Sequence, residues 1–359
     1  MLYALGSNGS AQLGVGHTDD LSVPQPISTG GKHLNWKVKQ FAAGGNHTVL
    51  LCDDGKVRVT GNNEDGRCGV QNIHRFKHFT ELEMPRDASG NELKAVHVAA
   101  NWSATTFVFD DGSVRTCGTG HSGELGLGPE GAKSSDLTRI AFSPSHGVEV
   151  IHIASGMSHT VAILSNGEVW GWGRGRRGQL GEPAEEVWAP RKIERIDFEA
   201  VKAVCGTDFT LLIGESSTGR IALLGGHRND RFGIKSNLPT MVAGWSDVAA
   251  SWCSILLLKA SGDVVAWGRN DHGQLPPDDM PQIKAVAAGS EHCLAVTKSG
   301  SVLAWGWGEH GNCGSPTDER GDVKGRWNEL VVPGRAVKVF AGCATSFIEV
   351  EEQDVADGG

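Results

Sequence analysis

The sequence contains no run of 18 apolar residues and so offers no candidate transmembrane helix. Its opening residues, MLYALGSNGS, have neither a charged n-region nor an apolar h-region, which argues against a secretory signal. A basic tail and lysine-rich runs are also missing, in a chain of net charge −9 and pI about 5.9. That balance argues against a general phosphate-binding surface, and direct DNA binding is not expected. No C-x-x-C pair occurs among the eight cysteines, Cys52, Cys68, Cys117, Cys205, Cys253, Cys293, Cys313 and Cys343. Reduced thiols standing in for small apolar residues explain them better than zinc, and this usage suits a cytoplasmic and nuclear protein. G-x-S-x-G, P-loop and H-E-x-x-H motifs are absent as well, so neither an enzyme nor a bound cofactor is expected.

What the chain has in excess is glycine, 50 residues of 359, and these are phased. The stretch 283–314 shows the unit: apolar Ile283 to Ala288, a turn at 289–292, a second run to Thr297, a Ser299-Gly300 hairpin, a third run, and a loop after Gly306. The place of His292 recurs as His47, Ala104, His159, Phe209, Ser254 and Thr345, at an average step of about 50 residues. From that place to the glycine ending the third run is 14 residues in five units and 16 in the unit of Phe209. From each such glycine to an apolar residue is always seven, as in Gly6/Leu13, Gly118/Leu125 and Gly306/Cys313. Variable lengths fall at 71–95, 129–150 and 182–200, where a fourth, outer strand is expected.

The chain begins on a third run, Leu2 to Leu5, and ends on a first and a second, Val337 to Ala341 and Ser346 to Val350. Pairing of the two termini completes one unit and removes the exposed sheet edges. The expectation is an all-β fold, a closed seven-bladed β-propeller over residues 1–350. Residues 351–359 form an acidic tail that is expected to be disordered.

Strand parity collects the short turns and the glycine loops on one rim, and the hairpins on the other. The regular turn is Gly-x-x-His-Thr, as in 156–160, and its histidine is expected to fix the turn by hydrogen bonding rather than to do chemistry. The departures from that pattern are the candidate partner-binding residues: Trp102, Asp208, Phe209, Trp252, Glu291, His292, Trp307 and His310. Tryptophans flanked by acids suit an interface hot spot. The alternative for Trp102 and Trp252 is that they plug the central channel. A catalytic reading would require Glu291, His292, Glu309 and His310 to converge. The run Gly173 to Gly178 (GRGRRG) looks suited to phosphate but matches the ordinary rim loop.

The fragments Ala154 to Thr160, Asn166-Gly167, Trp172-Gly173 and Gly178 to Gly181 resemble the regulator-of-chromosome-condensation (RCC1-like) repeat family over essentially the whole chain. That resemblance implies seven blades closed by combining the termini. Its founding member exchanges nucleotide on the Ran GTPase and binds nucleosomes, for which this sequence lacks the basic tail. Further blocks are similar to a fungal branch of the family, the alpha-tubulin suppressor or killer-toxin-insensitivity proteins. They are Ser7 to Gly9, Gln12 to His17, Gly44 to His47, Trp305 to Gly314 (WGWGEHGNCG) and Gly342 to Thr345. This resemblance implies a non-enzymatic heterodimer with the small CSL-type zinc/iron protein of diphthamide synthesis. Through it the chain would support Elongator-dependent modification of the tRNA wobble uridine and diphthamide formation on elongation factor 2. The competing expectation is guanine-nucleotide exchange on a small Ran-like GTPase.

Overall fold

A computed structural model describes residues 1–351, apart from residues 30, 31, 35, 143, 146 and 227–229. The tail at 352–359 lies outside the described residues. Seven antiparallel sheets form a ring, each beginning with an inner strand that lines a central channel. Blade 1 runs Val38–Ala43, His47–Cys52, Val57–Asn62 and Arg75–Glu81, and the others follow in chain order. The inner strands of blades 2 to 7 start at Ala95, Val150, Ala200, Trp245, Ile283 and Ala336. Blade 7 is completed from the other end of the chain: Leu2–Gly6 pairs with Thr345–Val350, in register from Leu2↔Glu349 to Gly6↔Thr345.

The constant spacing of 14 has a structural meaning. It is the antiparallel register in which His47 faces Gly61, Ala104 faces Gly118, His159 faces Gly173, and His292 faces Gly306. Phe209 faces Gly225 by the same rule across its longer hairpin. Gly61 shows why glycine is required: its φ is +99°, and a Cβ would stand 2.4 Å from the Asn46 carbonyl oxygen. The glycine that opens each turn has a second reason. In Gly44, Gly156, Gly206 and Gly289 an added Cβ would run into the ring of the residue three places on, His47, His159, Phe209 or His292.

The expected outer strands are present as Arg75–Glu81, Lys133–Arg139 and Val187–Lys192, and blades 6 and 7 have them too, at Asp322–Leu330 and Leu21–Pro26. Blades 4 and 5 have three strands among the described residues, and after blade 4 a single helical turn, Ile234–Asn237, lies where an outer strand would run. The core is not one mass but a series of clusters between neighbouring blades, such as Phe209, Ile213, Ile255 and Leu257 between blades 4 and 5. A three-strand sheet cannot bury both faces by itself, so each blade depends on its neighbours.

Candidate partner-binding rim

The rim that carries the short turns is tied together by backbone. Gly45 N–H donates to Trp102 O at 2.9 Å, Trp102 N–H to Met157 O at 3.0 Å, Thr207 N–H to Trp252 O at 2.9 Å, and Trp252 N–H to Ser290 O at 3.0 Å. With Ser290 N–H donating to Gly342 O at 3.1 Å, these bonds link the turns of blades 1 to 3 and of blades 4 to 7 into two backbone-tied arcs, and the side chains of Trp102 and Trp252 stand on them.

The repeated histidine spans the boundary between blades rather than fixing its own turn. His47 Nε2 meets Thr105 Oγ1 at 2.8 Å, His159 Nε2 meets Thr210 Oγ1 at 2.9 Å, and His292 Nε2 meets Ser346 Oγ at 3.0 Å. Each of those hydroxyls donates its own proton to a carbonyl of the preceding rim loop, that of Arg67, Gln179 or Asn312. The hydroxyl must then accept from the ring, which assigns the proton to Nε2 and leaves Nδ1 bare. Nδ1 of all three rings is indeed buried without a partner. Burial pushes the three imidazoles far down, His47 to about 3 and His159 and His292 to about 4.

This geometry corrects two of the eight expected contact residues. His292 and Phe209 are both fully buried. They hold blades together, and neither can touch a partner. The two acids are present at the rim but engaged: the Asp208 carboxylate pairs with Arg231 at 2.6 Å. Glu291 accepts from Gln274 Nε2 at 2.8 Å and from the Cys253 thiol at 3.1 Å, with Arg269 at 3.5 Å. Burial, with the Glu291 carboxylate beside it, pushes the Cys253 thiol well above its ordinary range. The four groups of the catalytic reading do not converge, because His292 serves the boundary with blade 7 while His310 Nδ1 bonds Asp20 at 2.8 Å.

The remaining four form the open part of the rim. Trp102 of blade 2 and Trp252 of blade 5 meet across the channel mouth, ring centroids 5.8 Å apart at 45°. Trp102 lies flat on Gly45, where a Cβ would be 2.7 Å from its ring, and remains 38% exposed; Trp252 is half-buried. They close the channel and present an apolar face at once, so the two readings of these residues describe one arrangement. Trp307 packs edge-on against His310, centroids 5.3 Å apart, and both are partly exposed.

Some rim residues carried no signal in the sequence. Arg231, 57% exposed over the Phe232 ring, lies in a loop of irregular length. The Asp20 partner of His310 was legible in principle. His272 and His310 each stand four residues after a repeat glycine, and each bonds an aspartate at an outer strand of the next blade, His272 to Asp322 at 2.9 Å. All eight cysteines are free thiols, and among the described residues no three His, Cys, Asp or Glu side chains are grouped to share a metal ion.

The family model for the RCC1-like domain matches residues 1–348. The sequence is 32% identical to an RCC1 repeat-containing protein of Schizosaccharomyces pombe, over 98% of this chain and 99% of that protein. It is 26% identical to the secretion-regulating guanine nucleotide exchange factor of Mus musculus, over 79% of this chain and 64% of that longer protein. Prp20p of Saccharomyces cerevisiae, studied for its binding to Gsp1p and histones, superposes with a TM-score of 0.80 at 20% identity, covering 98% of this chain and 92% of that one. Human WBSCR16 gives a TM-score of 0.80 at 18% identity, covering 98% and 100%. At such identities the two structures speak for the fold alone.

Proposed function

Because this chain belongs to the RCC1-like domain family, we propose that it is a non-enzymatic docking scaffold whose turn-bearing rim binds the small CSL-type zinc/iron protein of diphthamide synthesis. As that heterodimer it supports Elongator-dependent tRNA wobble-uridine modification and diphthamide formation on elongation factor 2, in cytoplasm and nucleus. The observation that carries the docking reading is the tryptophan pair at the channel mouth. Two large rings held partly in solvent on backbone-tied turns are what a protein interface uses as its central anchor, since little side-chain freedom is lost on binding. Trp307 and His310 extend the contact over the boundary between blades 6 and 7, and the paired charges of Asp208 and Glu291 hold the loops in shape beneath it. The choice of partner rests on the Trp305 to Gly314 block, which departs from the repeat.

The test is to isolate the tagged full chain from its own cells and identify what accompanies it by mass spectrometry. A cysteine-rich CSL-type protein is the expected companion. The second reading, nucleotide exchange on a Ran-like GTPase, is favoured by the mouse relative, which is named as an exchange factor. It predicts a nucleotide-free GTPase in the same experiment and faster release of bound GDP by the purified chain.

A further inference from the structure

The central channel has a volume of about 530 Å³, within the span of roughly 300–1,000 Å³ usual for small-molecule sites. The Trp102–Trp252 pair covers its upper mouth, so access is from the hairpin end. The third residue of each inner strand follows a β-bulge, and in blade 1 and blades 3, 4, 5 and 7 that residue is polar and lines the channel: Gln40, His152, Lys202, Asp247 and Lys338. Lys39 joins them, so the charged lining is three lysines and one aspartate in a chain whose net charge is −9. The Lys202 ammonium pairs with Asp247. Lys338 Nζ donates to Val38 O at 2.6 Å and lies 3.8 Å from Glu349 behind it. Lys39 has neither a hydrogen-bond nor an ion-pair partner among the described residues, and its charge adds to burial in holding His97 below the ordinary imidazole range.

We infer that the hairpin end of this channel is a binding site for a small phosphorylated anion carrying two or more negative charges. Lysine ammoniums act there as point charges on a partly enclosed, low-dielectric wall, where each contact to phosphate counts for more than at an open surface. Asp247 is the opposing element. It pairs with Lys202, so the anion must compete for that ammonium.

Isothermal titration of the full chain with inorganic pyrophosphate at low salt tests the assignment. Wild type is expected to bind, and Lys39→Met and Lys338→Met each to weaken binding about tenfold. Asp247→Asn is expected to tighten it about fivefold, because Lys202 is released and the repelling charge is gone. A thermal melt of each variant checks folding. A site that merely staples blades together would lose stability in Asp247→Asn without gaining affinity. Failure of both wild type and Asp247→Asn to bind pyrophosphate, or retained binding in the Lys39→Met/Lys338→Met double variant, overturns the inference. Equal affinity for citrate would overturn the phosphate class.

Discussion

The boundary between blades 3 and 4 and the next one, between blades 4 and 5, solve the same problem with different chemistry. In the first, His159 reaches Thr210, whose hydroxyl continues to the Gln179 carbonyl. In the second, Phe209 takes the histidine's place and Ile255 the threonine's, and both are fully buried. A ring nitrogen is matched by a hydroxyl and a hydrocarbon ring by a hydrocarbon chain. His47 with Thr105 and His292 with Ser346 repeat the polar solution. Blade 2 varies it: Ala104 stands in the histidine's position and Asn101, three residues earlier, donates to the Gly156 and His159 carbonyls. At His47, His159, His292 and Phe209 the residue matches its neighbour in the next blade, whereas in blade 2 Asn101 takes over the joint, its Oδ1 accepting from Thr160. Departure from the histidine pattern signals a different joint and not, by itself, a binding residue.

The two joints separate most clearly when each is cut. Phe209→Ala leaves a large void beside Ile255, and urea unfolding is expected to show a loss of about 3–5 kcal/mol. A loss below about 1 kcal/mol would mean that the packed joint matters no more than a surface contact. His159→Ala removes a hydrogen bond and a ring but leaves the Thr210 hydroxyl its carbonyl, so a smaller loss of about 1–3 kcal/mol is expected at neutral pH.

The polar joint carries a pH signature that the apolar one lacks. With folded pKa values near 3 for His47 and 4 for His159 and His292, these imidazoles stay neutral in the folded chain and take up protons on unfolding below pH 6.5. Their contribution is complete above pH 6.5 and declines as pH falls toward 4. The difference between wild type and His159→Ala should therefore shrink from pH 7.5 to pH 5, while that between wild type and Phe209→Ala should stay nearly constant. The smallest effect is expected at the open surface: Arg231→Ala breaks a 2.6 Å pair with Asp208, yet Arg231 is 57% exposed and the cost should be within about 1 kcal/mol.

The same comparison explains what could be read from the sequence. Seven blades and their closure were legible because glycine at +99° opposite His47, and its counterparts, cannot be replaced without a clash with backbone. The offset of 14 records that register directly. Trp102 and Trp252 were legible as exceptions, though the sequence could not tell that they meet, since they come from blades 2 and 5. Phe209 and His292 were misplaced because their surroundings belong to the following blade, some 46 and 54 residues away at Ile255 and Ser346. Among the described residues blades 4 and 5 have no fourth strand. The connection after blade 5 signals this, since Pro276, Pro277 and Pro281 remove ladder donors from 269–282, whereas 230–244 carries no comparable sign apart from Pro239.

The central claim is that the tryptophan pair is the anchor of a docking rim for a CSL-type protein. Calorimetric titration of the purified chain with that protein from the same organism, wild type against Trp252→Ala, tests it most directly. The expected result is a specific complex that Trp252→Ala weakens by roughly 2 kcal/mol or more, about thirtyfold in Kd, with an unchanged melting curve. Equal affinity of the two proteins, or no complex with wild type, would contradict it.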